Sequence, residues 1–211
     1  MSHDDFAFEP VKGLPESPPQ GEELLWQGRP DAWALTCDAL NLGWVAGYFC
    51  LLAVWRFVAV VDLMPLQQAI GSSLPFLVLG AIVCVILFVL GWVQARATVY
   101  TITNRRVAMR MGAALTVTLN LPYTQIESVD LATGRNGIGS IVLKPVGALP
   151  LGFAVCWPHV RPWHFNKPEP TLRCIRDAEK IAHILADAAE ARLATPSVTR
   201  KPQVSAAMAA E

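Results

Sequence analysis

Residues 42–93 hold two long apolar segments separated by a short polar break, and nothing else in this 211-residue chain could bury that much apolar surface in water. The second segment, residues 74–93, carries no charge and matches the roughly 20 residues that a helix needs to cross hydrocarbon. The first, residues 42–61, is almost as apolar but contains Arg56. Both are too long for the apolar region of a signal peptide, and the first begins behind an acidic leader. The expected structure is therefore a two-helix transmembrane hairpin that stays in the mature protein.

Outside this stretch, residues 1–41 form an acidic arm, residues 94–194 are long enough for one independent core, and residues 195–211 read as a disordered tail. The formal net charge of zero conceals an asymmetry. Asp4, Asp5, Glu9, Glu16, Glu22, Glu23, Asp31 and Asp38 precede the apolar stretch, against Lys12 and Arg29. Beyond it, Arg96, Arg105, Arg106, Arg110, Arg135, Lys144, Arg161, Lys167, Arg173 and Arg176 prevail. This pattern fits attraction to anionic headgroups or an acidic partner, and equally an ordinary solvated surface. No nucleic-acid recognition motif accompanies the basic residues, so nucleic acid is not an expected partner. Cys37, Cys50, Cys84, Cys156 and Cys174 show no CxxC spacing and read as reduced fillers.

The break between the apolar segments, residues 62–73, has no Lys or Arg, whereas Arg29 precedes the pair and Arg96, Arg105, Arg106 and Arg110 follow it. The positive-inside rule then places both ends in the cytoplasm of a bacterial inner membrane. Gly43 and Gly47 have GxxxG spacing, and Gly80 and Cys84 repeat the small-residue pattern, so these faces could pack within the hairpin or against another helix, that of a second copy included. Arg56 is expensive in hydrocarbon; it could snorkel to the outer interface, pair with Asp62 or meet a partner protein.

From Thr98 the apolar period changes to two. Val107, Met109 and Met111 share one strand face, opposite Arg106, Ala108 and Arg110; Leu115, Val117, Leu119 and Leu121 alternate with Thr116, Thr118 and Asn120. Turns at Asn104-Arg105 and Gly112-Ala113 would make this an antiparallel meander, with further strands expected near residues 125–131, 137–143 and 151–157. Ala178, Ile181, Ala182, Leu185, Ala188 and Ala189 form one stripe of a helix over residues 177–193, placed to close the sheet's core. Upstream, Asp31 or Thr36 could cap a short helix leading towards the membrane.

No nucleophile motif or Gly-rich phosphate loop is present, so neither an enzyme nor a cofactor or metal site is expected. His159 and His164 lie in the run Trp157-Pro158-His159-Val160-Arg161-Pro162-Trp163-His164 and could bind metal or titrate near neutral pH. Contact with protein or lipid by this aromatic, basic loop, through Trp157, His159, Arg161, Trp163 and His164, is a stronger reading, and a packed structural loop is the plain one. Neither apolar segment contains a histidine, so the hairpin does not look like a pigment-binding helix.

Residues 100–112, Tyr-Thr-Ile-Thr-Asn-Arg-Arg-Val-Ala-Met-Arg-Met-Gly, resemble the bacterial pleckstrin-homology-like domains that follow membrane hairpins, and residues 23–30 are similar to the segment before the hairpin in those proteins. The resemblance implies an α+β cytoplasmic domain: a bent antiparallel sheet or barrel capped by a C-terminal helix. Residues 3–10, Trp55-Arg56, residues 62–66, residues 94–98 and residues 156–164 together resemble a family of photosynthetic reaction-centre assembly proteins of purple bacteria. That likeness implies a non-catalytic membrane factor whose partners are reaction-centre and core light-harvesting subunits. The alternative is a membrane-anchored module binding anionic lipid through Arg105, Arg106 and Arg110, or another membrane protein. Gly43, Gly47 and Arg56 are the candidate contacts within the membrane.

Overall fold

The computed structural model describes residues 13–14, 17–113, 116–134, 137–147 and 152–194. The expectations for residues 1–12, for Leu115 and for the tail 195–211 lie outside the described residues. The chain runs β1 (Leu24–Gly28), α1 (Ala32–Ala39), α2 (Leu42–Val60), α3 (Leu66–Ala97), β2 (Val99–Thr103), β3 (Arg106–Met111), β4 (Val117–Pro122), β5 (Ile126–Thr133), β6 (Ile138–Pro145), α4 (Phe153–Cys156), β7 (Thr171–Arg176) and α5 (Ala178–Ala194).

The strands form two antiparallel sheets, ordered β1-β2-β3-β4 and β5-β6-β7. Alternation dictates their inner faces. Val107, Met109 and Met111 are buried, as are Leu119 and Leu121, while Asn120 between them is exposed. These residues meet Ile141, Leu143, Leu172 and Ile175 of the second sheet in one core, which α5 closes with Ala178, Ile181, Leu185 and Ala188. The expected helical stripe is the buried one. Between β2 and β3 the chain turns through Asn104 and Arg105, and at Gly112 it takes φ +99°, a conformation that suits a residue without Cβ.

The sheet begins before the helices. Leu24–Gly28, expected within the arm, pairs antiparallel with β2, Leu24 opposite Thr103 and Gly28 opposite Tyr100. The division into an arm over residues 1–41 and a sheet domain starting at residue 94 is corrected accordingly: α1, α2 and α3 are inserted between two hydrogen-bonded strands. Two further corrections concern the ends of elements. The link between α2 and α3 is residues 61–65 alone, because residues 66–73 are already helical and Ser73 returns its hydroxyl to the Ala69 carbonyl at 3.0 Å. The strand expected near residues 151–157 is instead the helical turn Phe153–Cys156, and β7 supplies the third strand. Cys174 in β7 stands at φ +52°, and its carbonyl accepts the N–H of Asp31, 2.8 Å away.

Helices α2 and α3 are long and apolar enough to cross a membrane, with 11% of the most apolar 18-residue stretch of each buried. Neither is mostly buried inside the protein. They run side by side in opposite directions, since Phe49 of α2 covers Gly80 of α3 while Thr36, before α2, covers Gly91. A Cβ on Gly80 would stand 2.6 Å from the Phe49 Cβ, so the contact requires glycine. At about 1.5 Å per residue α2 spans roughly 28 Å, close to a hydrocarbon core, and the longer α3 continues past it to the sheet.

Candidate functional site

The chemically distinctive region is the junction where α1, the end of α3 and β7 meet. Asp31 caps α1 by accepting the Ala34 N–H at 3.0 Å and also accepts Arg176 Nη2 at 2.8 Å. The Arg176 hydrogen bond, followed by that of Ala34, holds its carboxyl below the usual carboxylate range. At the other end of α1, Asp38 receives the guanidinium of Arg173, whose Nη1 also donates to the Pro158 carbonyl at 2.9 Å. Leu35, Ala95 and Cys174 pack between these ion pairs. Burial, followed by the charge of Asp38, pushes the Cys174 thiol up to about 12, so it is a neutral packing group.

A directed chain of hydrogen bonds crosses the same junction. The Arg173 backbone N–H donates to Tyr100 Oη at 3.2 Å, Tyr100 Oη lies 2.7 Å from His159 Nδ1, and His159 Nε2 lies 2.8 Å from Thr98 Oγ1. Thr98 Oγ1 spends its own proton on the Gln94 carbonyl at 2.8 Å. It must therefore accept from His159 Nε2–H, which leaves Nδ1 as the acceptor for the Tyr100 hydroxyl. The imidazole is neutral and its tautomer fixed. Burial, then the Arg173 charge, pushes its pKa down to about 3, and burial raises that of the Tyr100 phenol.

This placement corrects the reading of His159 as a partner, lipid or metal contact: its side chain is completely buried and both ring nitrogens are occupied. The physical reason is the sharp end of α3 at Thr98, whose hydroxyl would otherwise be buried without a donor. Within the same loop Trp163 is 84% exposed, Phe165 and Trp157 are also exposed, and the Phe165 ring packs at a tilt of 52° against Phe153 with centroids 4.6 Å apart. His164 Nδ1 lies 2.9 Å from the Pro162 carbonyl. Arg161 is paired with Glu169 at 3.0 Å, with Asp130 3.6 Å away. Among the described residues no group of three or more His, Cys, Asp or Glu side chains could hold a metal ion.

Arg105, Arg106 and Arg110 do not make one patch. Arg106 is paired with Glu22 at 2.8 Å, and Arg105 Nη2 donates to the Gln20 carbonyl at 3.3 Å. Arg110 lies at the other end of β3, opposite Val99, beside the end of α3. Three of the four arm acids among the described residues are answered inside the molecule, through Glu22–Arg106, Asp31–Arg176 and Asp38–Arg173. In the helix pair, a Cβ on Gly43 or Gly47 would meet nothing within 4 Å, so this small-residue face is not the seam with α3. Arg56 is exposed and makes no ion pair with Asp62 among the described residues. Gly47 and Arg56 are nine residues, or two and a half turns, apart and so point to opposite flanks.

Sequence reasoning missed Asp38, Arg173, Tyr100 and Thr98 because their partners lie far along the chain; Asp38 and Arg173 are 135 positions apart. The available signals were a lone acid in a short apolar helix and an arginine, Arg173, set between Leu172 and Cys174 in a strand.

Comparison with known proteins agrees with this architecture. A model of the bacterial PH domain matches residues 39–189. A Rhodobacter capsulatus protein described as an uncharacterized 23.7 kDa protein in the puhA 5′ region is 44% identical over 211 residues, covering 99% of each chain. No solved structure matches the chain. With two antiparallel sheets closed by a C-terminal helix, and a family match across most of its length, the chain belongs to the bacterial PH domain family.

Proposed function

We propose that this chain is a non-catalytic assembly factor of the PuhB type for the photosynthetic reaction centre and its core light-harvesting complex. In this reading α2 and α3 cross the inner membrane with both ends facing the cytoplasm. The observation that carries it is the end-to-end 44% identity with a protein from the puhA 5′ region, a genomic context that fits the sequence's resemblance to reaction-centre assembly proteins. The geometry supports a docking role: the flank of α2 that carries Gly43 and Gly47 is left open, and the junction holds the sheet domain fixed against the helix ends. A membrane subunit packs on that open flank, while the sheet domain holds a cytoplasmic face of the same complex.

Deleting the gene and following reaction-centre absorbance during the onset of photosynthetic growth tests this; normal levels formed at a normal rate would overturn it. At the level of residues, the Gly43→Ile/Gly47→Ile variant should remain in the membrane yet lose co-purifying reaction-centre or light-harvesting subunits. Arg56→Leu probes the opposite flank in the same capture assay.

A further inference from the structure

Where α3 gives way to β2, an open cleft of about 530 Å³ is lined by Trp26, Arg29, Asp31, Trp92, Arg96 and Arg176, with Asp177 at its edge. Arg176 is committed to Asp31. Arg29 and Arg96 are both exposed and, among the described residues, neither has a carboxylate partner. Three arginines against two aspartates leave the cleft with one excess positive charge. Arg96 lies over the Trp92 ring, 4.9 Å from its centroid, a cation–π contact that favours this position of the guanidinium beside the cleft. Trp26 is kept at the cleft wall because its ring crosses directly over Gly28, where any side chain would displace it.

The position of this cleft indicates its ligand. Trp33, Trp44 and Trp92 are all exposed at this end of the helices, the level at which indole rings mark a membrane interface. Val85, Val89, Trp92 and Arg96 follow one another at spacings of four, three and four residues and therefore form a single stripe of α3. Val85, Val89 and Trp92 are exposed, so the stripe is an apolar track that ends at a guanidinium beside a cationic cleft. Arginine presents a planar fork that matches phosphate oxygens in pairs.

We infer that the cleft binds the phosphodiester headgroup of an anionic phospholipid, with Arg29 and Arg96 on the phosphate and an acyl chain along Val85, Val89 and Trp92. The site lies apart from Arg105 and Arg106, and it rests on the reading that α2 and α3 cross a membrane. It makes a bound lipid part of the junction.

The test uses the full chain purified in detergent and titrated with phosphatidylglycerol or phosphatidylcholine, with bound lipid counted by native mass spectrometry. Two arginines near a headgroup should give a preference for phosphatidylglycerol on the order of twentyfold. Arg29→Gln and Arg96→Gln should each reduce it about fivefold, and the double variant should abolish it. The charge-matched control Arg105→Gln/Lys144→Gln should keep it. The single variants keep the test decisive if the double variant melts early. An undiminished preference in the arginine variants, or an equal loss in the control, would overturn the proposal. So would displacement of the lipid by millimolar inorganic phosphate, which would assign the cleft to free phosphate. Alkaline-washed membranes report separately on anchoring: arginine variants that stay in the pellet while losing the preference support the lipid site, and a wild-type chain released from the pellet overturns the membrane reading on which it depends.

Discussion

The two halves of this molecule are built with opposite polarity of size. In the sheet domain the buried residues are large, among them Tyr100, Ile102, Met109, Leu121, Ile141 and Leu172. In α3 they are small: Ala69, Ser73, Gly80, Gly91 and Ala95, while Leu77, Leu79, Ile82, Val85 and Ile86 face outward. Water drives large apolar groups inward, and hydrocarbon does not. Helices surrounded by lipid gain instead from close backbone approach, which small residues permit. The difference adds to hydropathy the direction in which each residue points, and it is the pattern that the proposed membrane crossing calls for.

The contrast can be broken most directly with one substitution made in both halves. Leu121→Ala should cost about 3 kcal/mol in thermal unfolding of the detergent-solubilised chain, while Leu79→Ala should cost less than about 0.5 kcal/mol. Equal losses would mean that α3 is buried like a soluble helix. Enlarging a seam residue sharpens the same point: Gly80→Ile should destabilise the helix pair by about 2 kcal/mol through its clash with Phe49, whereas Gly47→Ile should leave stability unchanged.

A pH titration comes next in size. The His159 pKa is depressed from 6.5 to about 3 in the folded chain, so the unfolded state binds the extra proton as pH falls below 6.5. Stability from this group is fully present above pH 6.5 and is lost progressively down to about pH 3, by about 1.4 kcal/mol at pH 5.5. Unfolding measured from pH 7.5 to 5 should show this slope in the wild type and not in His159→Gln. The smallest effect is expected at the exposed Lys144–Asp130 pair, where Asp130→Asn should leave the melting temperature within error.

Much of this architecture was legible in the sequence. The apolar runs, the alternation in residues 106–111 and 117–121 and the stripe from Ala178 to Ala189 each report a local period that packing then obeyed. What was not legible depended on distant pairing. Residues 24–28 are too few to distinguish a strand from one turn of an amphipathic helix, and only β2, some seventy positions on, decides the matter. Among the candidate site residues, Trp157 and Trp163 are exposed as a contact loop requires, and the open face at Gly43 and Gly47 is available. His159 was misread because a buried, doubly bonded histidine and an exposed one look alike in a sequence. Arg106 was misread because its carboxylate, Glu22, lies 84 positions away.

The insertion of both helices between β1 and β2 bears on how the protein is made. With α2 and α3 crossing the bilayer as proposed, two crossings bring β2 back to the side of β1, and the first sheet closes across the inserted pair. A chain that inserted only one of the two helices would leave the two partner strands on opposite sides of the bilayer. In the proposed topology the first sheet is completed across the membrane-spanning pair, so its closure and the placement of the two helices are tied together.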